Sequence, residues 1–138
     1  MLDFTFKSGE RLKSRKLIGE LFERGQSFGQ YPLRLVWIET EAPRSEFPAQ
    51  LAISVPKRRF KHAVTRNLLK RRIKEAYRLR KHRLYRTLET QDTQLALMII
   101  YTGQEPLPYP EIATAMDRML GRFIKKWKSQ QRPTNPPS

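Results

Sequence analysis

Apolar residues recur at helical spacing at Leu17, Ile18, Leu21 and Phe22, which predicts a first helix from about Ser14 to Arg24. Ser14 is a suitable N-cap, and Gly25 is placed to end the helix in the C′ position. Before it, Leu2, Phe4 and Phe6 alternate weakly, so residues 2–13 read as an extended arm. After a short polar link, Leu33 to Ile38 is rich in β-branched and aromatic residues and predicts a strand. Glu39 to Pro48 carries two prolines and three acids and reads as a loop. In the strand that follows, Ala49 to Val55, Leu51, Ile53 and Val55 alternate with smaller or polar residues. Two strands joined by such a loop predict an antiparallel hairpin. Leu95 to Tyr101 is continuously apolar, as in a strand buried on both faces. Beyond the proline-rich break at Gly103–Pro110, a last helix starts near Pro110, with Ile112, Met116, Met119, Leu120, Phe123 and Trp127 as its apolar stripe. Lys125, Lys126 and Lys128 sit at its C-terminal end, where the helix dipole favours cations.

The predicted order is helix, strand, strand, helix, strand, helix. A strand–helix–strand unit over residues 49–101 implies two parallel strands with a helix crossing between them, so the fold class is α+β or α/β. The general chirality rule makes that crossover right-handed. One domain is expected over residues 1–128, with a polar, proline-rich, disordered tail from 129 to 138.

Charge changes the picture. The 138 residues carry 28 Lys and Arg against 13 Asp and Glu, a net charge of +15. Between Lys57 and Arg86 there are 14 cations and one acid, Glu75, while the rest of the chain holds 14 cations against 12 acids. Solvated faces usually interleave both signs, and a one-sign block costs self-repulsion, so this block predicts a polyanionic partner. Cysteine is absent, which removes disulfides, zinc–thiolate sites and a Cys nucleophile. No apolar run is long enough to span a bilayer and the N-terminus has no apolar signal region, so a cytoplasmic protein without membrane association is expected.

The block falls on the second helix, expected from about Val64. At 3.6 residues per turn, Arg66, Lys70, Lys74, Asn67, Arg78 and Arg71 share an arc of about 140°. Thr65, Leu69, Ile73, Ala76 and Tyr77 form the opposing apolar wall. An apolar wall packed on the sheet would hold the cations as a rigid ribbon. Arg grips phosphate oxygens through a planar fork and Lys adds a mobile charge, while Asn67 both donates and accepts. Glu75 borders the ribbon and is expected to pair with Arg71 or Arg72. Spacing alone does not separate RNA from DNA as the partner. Phe28 and Tyr31, in the polar link, are the better candidates for stacking on unpaired bases, whereas Phe22 and Trp37 stand at core-periodic positions. Acids are scattered, with no carboxylate cluster to hold a catalytic metal, and His62, alone in a basic run, reads as a phosphate contact or an exposed residue.

The segment from Ile53 to Arg78, ISVPKRRFKHAVTRNLLKRRIKEAYR, resembles the signature of the bacterial ribonuclease P protein subunit. Lys57 and Arg58 match its basic pair, Ala63 the loop alanine, Arg66 and Asn67 the start of Arg-Asn-Arg, and Lys70 and Arg71 the following Lys-Arg. Arg11-Leu12-Lys13 and Leu21-Phe22-Glu23-Arg24-Gly25 match its N-terminal segment, and the likeness covers about residues 9–127. Leu68 departs from the pattern, standing where the family has its second Arg; Arg72 is placed to compensate on that flank.

The resemblance implies an α+β fold, a single four-stranded mixed sheet packed with three helices, ribosomal-protein-like, with a left-handed βαβ crossover in place of the right-handed default. It implies a protein subunit of an endoribonuclease, not catalytic by itself, that binds the ribonuclease P catalytic RNA and precursor tRNA. The RNA, with Mg²⁺ held through it, would remove the 5′ leader; no cofactor bound by the protein and no protein partner are expected. The RNA-binding residues implied are Lys57, Arg58, Arg59, Lys61, Arg66, Asn67, Lys70, Arg71, Lys74 and Arg78. Phe22, by resemblance, and Phe28 and Tyr31, by position, would line a groove for the leader between the second helix and the sheet. The competing readings are a structural RNA-binding protein such as a ribosomal one, and a DNA-binding regulator.

Overall fold

The computed structural model describes residues 3–40 and 45–131. Leu2, part of the loop after the first long strand, and the tail from residue 132 lie outside the described residues. The elements are α1 (Arg15–Arg24), β1 (Gln26–Gln30), β2 (Leu33–Glu39), β3 (Ala49–Ser54), α2 (Ala63–Thr90), β4 (Leu95–Tyr101) and α3 (Tyr109–Gln131). The last helix therefore continues through Ser129 and Gln130, beyond the point where the sequence places the start of a disordered tail.

Four strands form one mixed sheet in the order β1-β2-β4-β3. β2 runs antiparallel to both β1 and β4, and β3 runs parallel to β4. The expected β2–β3 hairpin is absent, because β4 lies between those strands. The physical reason is burial: every β4 residue except Ile100 is buried, so this strand gains most from the centre. β3 carries Gln50 and Ser54 on the face opposite Leu51 and takes an edge. The other edge, β1, escaped the sequence reading because Phe28 is its only large apolar residue.

The sheet is covered on both faces. On one, Leu33, Leu35, Trp37, Leu51, Leu97, Ile99 and Tyr101 pack against α2 and α3, and the whole predicted α3 stripe is buried there. On the other, Val36, Ile38, Ala96 and Met98 pack against Leu12, Leu17 and Leu21 of the N-terminal segment and α1. Ser14 caps α1 as expected, its Oγ accepting from the Leu17 N–H at 3.2 Å. Gly25 ends α1 for a different reason from the one expected. Its backbone is extended, with φ −69, and a Cβ there would lie 2.5 Å from the Leu21 carbonyl oxygen and 2.7 Å from Val36. Glycine is required by the close approach of chain to sheet, not by left-handed geometry.

Residues 3–13 form a strap. A single 3₁₀ turn at Ser8–Glu10 precedes a parallel bridge from Arg11 to Leu51, with the Leu12 N–H donating to the Leu51 carbonyl, so the strap extends the sheet past β3. Its anchor is buried: Glu10 and Lys81 are 1% and 2% exposed and form an ion pair. The same carboxylate accepts from the Tyr85 hydroxyl at 2.7 Å and, through Oε2, from the Lys7 N–H at 2.8 Å. Lys81 also donates to the Thr5 carbonyl, and Arg78 to that of Phe4. The strap thus covers the second half of α2 on the arc that carries cations in its first half.

Candidate nucleic-acid interface

Leu69, Ile73, Ala76 and Tyr77 of α2 are fully buried against the sheet, which fixes the helix's rotation. The polar side of its first turns then faces a groove of about 510 Å³ between α2, the β3 edge and the strap. Lys70, Arg71, Lys74 and Asn67 enter it from α2, and Arg11 and Lys13 from the strap; Phe6, Ala52 and Ile53 give it apolar surface. Five cations and an amide share the lining with no acid among the described residues. Nothing in the described residues accepts a hydrogen bond from Lys70, Arg71, Lys74 or Asn67. These donors converge on open space, as a phosphate chain requires.

The rest of the expected ribbon is differently employed. Arg66 is half-buried and donates to the carbonyls of Phe60 and Lys61, both at 2.8 Å, clamping the loop before α2. Arg78 takes Glu75 in a two-pronged pair at 2.7 and 2.8 Å, so Glu75 does not pair with Arg71 or Arg72. The Arg78 hydrogen bonds hold the Glu75 carboxyl below its ordinary pKa range. Arg72 does not replace the charge missing at Leu68: it donates to the Leu107 carbonyl at 2.6 Å and braces the loop before α3. Lys57, Arg58 and Lys61 are exposed ahead of α2, and Arg59 is exposed but bonded to the Thr102 carbonyl. His62 is the exposed N-cap of α2 and makes no side-chain cap bond.

The three aromatics expected in one leader groove are not brought together. Phe22 is 66% exposed, just off the Leu17–Leu21 stripe of α1, and so is not a core residue. Tyr31 is also 66% exposed, in the β1–β2 turn. Phe28 lies on the opposite sheet face from α1, edge-on to Trp37, at the β1 edge under α3. The aromatic residue that does line the α2 groove is Phe6. Sequence reasoning missed Phe6, Arg11 and Lys13 as groove residues; the Arg11-Leu12-Lys13 match to the family segment was the one signal for two of them. Among the described residues no three His, Asp or Glu side chains lie close enough to hold a metal ion. No helix among them is long and apolar enough to cross a membrane.

A family model described as Ribonuclease P matches residues 6–124, which includes most of the strap, the groove and about two-thirds of α3. The chain belongs to the ribonuclease P protein family. The ribonuclease P protein component of Porphyromonas gingivalis is 34% identical over 120 residues, covering 87% of each chain. That of Chlorobium phaeobacteroides is 35% identical over 107 residues, covering 72% of this chain and 73% of the relative. The solved ribonuclease P proteins of Staphylococcus aureus and Thermotoga maritima superpose with TM-scores of 0.62 and 0.60. They are 17% and 18% identical, cover 83% and 82% of this chain, and are themselves covered over 94% and 96% of their lengths. These two show the shared α+β fold. As a ribonuclease P protein, the chain takes part in tRNA processing within a ribonucleoprotein and associates with its RNA subunit.

Proposed function

We propose that this subunit binds the ribonuclease P RNA and the unpaired 5′ leader of precursor tRNA, and that the RNA, with its own Mg²⁺, cuts the leader away. The supporting observation is the α2 groove, with five cations from two fixed walls and no acid among the described residues of its lining. The wall positions are set by buried Leu69 and Ile73 on one side and by the Glu10–Lys81 pair on the other, so phosphates meet a preformed row of donors. In this reading Mg²⁺ is held by the RNA and the protein's part is to position. By itself the protein should leave precursor tRNA uncut.

Leader recognition is assigned to exposed aromatics, with Phe22 first among them. Stacking of a base is worth about 1–3 kcal/mol, so Phe22→Ala should weaken precursor tRNA binding by the holoenzyme roughly 5- to 150-fold. Mature tRNA, which has no leader to stack, should bind as before. Because Phe22 is largely exposed, the melting temperature should not move. Titrating both RNAs against the two holoenzymes tests this; equal weakening for precursor and mature tRNA would remove Phe22 from the leader contact.

A further inference from the structure

The cations of α3 remain unaccounted for. From Arg118 to Gln131 the helix carries Arg118, Arg122, Lys125, Lys126 and Lys128 and no acid. At 3.6 residues per turn, the first four and Ser129 share a cationic stripe about 100° wide, beside the buried face of the helix. This stripe borders a second groove, of about 390 Å³, lined by Phe28, Arg122, Lys125, Lys126 and Ser129. The Arg122 guanidinium carbon lies 4.4 Å from the Phe28 ring centroid, and the guanidinium donates to the Gly29 carbonyl and Gln30 Oε1, both at 2.9 Å. It is therefore a fixed, aromatic-backed cation rather than a mobile surface charge. Lys125 and Lys126 make no ion pair or hydrogen bond among the described residues, and the Lys126 ammonium stands 5.8 Å from the Trp37 ring centroid.

Resting on the RNA-binding reading above, we infer that the β1 edge and the last turns of α3 form a second RNA site. Its occupant is an unpaired nucleotide whose phosphate meets Lys125 and Lys126 and whose base stacks on Arg122 over Phe28. Arginine and aromatic planes are the usual platforms for splayed RNA bases. β1 and β3 are opposite edges of the sheet, about 14 Å apart at the usual strand spacing, beyond the ~8 Å screening length of physiological salt. The two grooves thus act on separate phosphates, and the subunit bridges two RNA segments. A lipid surface fits less well, because the apolar side of α3 is spent on the core and the groove offers a membrane no projecting apolar side chain.

The test is the salt dependence of RNA binding in the reconstituted particle. Lys125→Ala with Lys126→Ala should flatten the log–log slope by about 0.7–0.9, the contribution of one phosphate. Lys125→Arg with Lys126→Arg should keep the parent slope. Combining the alanine pair with Lys70→Ala and Arg71→Ala should sum the two losses. The chain has no cysteine, so Lys125→Cys and Lys70→Cys can each carry one photo-cross-linker and should label different RNA segments. An unchanged slope in the Lys125/Lys126 alanine pair, or no RNA cross-link from Lys125→Cys, overturns the second site while the Lys70/Arg71 result stands. If the Lys70/Arg71 pair is also silent, the RNA-binding reading itself fails. Binding to phosphatidylglycerol vesicles that this alanine pair abolishes, with its RNA slope intact, would assign the groove to lipid and likewise overturn the inference.

Discussion

Lys81→Ala should cost about 3–5 kcal/mol of stability, the usual effect of removing one partner from a buried ion pair. The Glu10 carboxylate would be left 1% exposed with only the Tyr85 hydroxyl and the Lys7 N–H to satisfy it. For a domain of this size that is a fall in melting temperature of roughly 10–20 °C, a large share of a total stability of about 5–15 kcal/mol. Replacing both partners, as Glu10→Leu with Lys81→Met, should recover most of the loss, because no charge is then stranded. Thermal melts of the three proteins decide it; a single variant melting within 2 °C of the parent on the ~1 kcal/mol scale of an exposed pair would mean that the pair does not anchor the strap. The consequence extends to function. Phe6, Arg11 and Lys13 reach the groove from the strap, so a loosened strap removes one wall and two of its cations.

The second large effect is on RNA affinity. Lys70→Ala with Arg71→Ala removes two exposed donors that no described protein group engages. At about 1.5–3 kcal/mol for each charge-assisted contact, binding to the RNA subunit should weaken by roughly 10²- to 10⁴-fold. The log–log salt slope should flatten by about 1.4–1.8 from a parent contribution near −3.5 to −4.5 for the five groove cations. Arg78→Ala should leave the slope nearly unchanged, since that guanidinium is committed to Glu75 and the Phe4 carbonyl. Filter binding at several salt concentrations separates the two variants. Equal slope changes for both would mean that the ribbon drawn on the helix wheel, and not the groove, meets the phosphates.

That contrast marks where sequence reasoning reaches its limit. The apolar periodicity located α1, α3, β2, β3 and the doubly buried β4, because each pattern is local and is satisfied by whatever apolar surface it meets. The order of strands was not legible: nothing local shows that β4 inserts between β2 and β3. β1 was lost because a one-sided edge strand needs only Phe28 facing inward. On α2 the wheel placed Lys70, Lys74 and Asn67 correctly on the open side. It could not show that Arg66 turns back to the preceding loop, that Arg72 reaches Leu107, or that Arg78 closes on Glu75. The Glu10–Lys81 pair had a faint signature, a lysine at helical spacing between Tyr77 and Tyr85, all three buried. Its partner lies 71 residues away in sequence, which no helix wheel reveals. Arg11 and Lys13 entered the groove the same way, through a strap whose course depends on that distant contact.

In the proposed function the protein positions RNA in its α2 groove and leaves the chemistry to the RNA. Cleavage of precursor tRNA by a ribonuclease P RNA at limiting Mg²⁺ tests it most directly, with the protein omitted, present, or present as Lys70→Ala with Arg71→Ala. Leader removal should be slow without protein, restored by the parent protein at that Mg²⁺ concentration, and restored by the variant only at higher Mg²⁺. Cleavage by RNA-free parent protein, or full rescue by the variant at limiting Mg²⁺, would contradict the account.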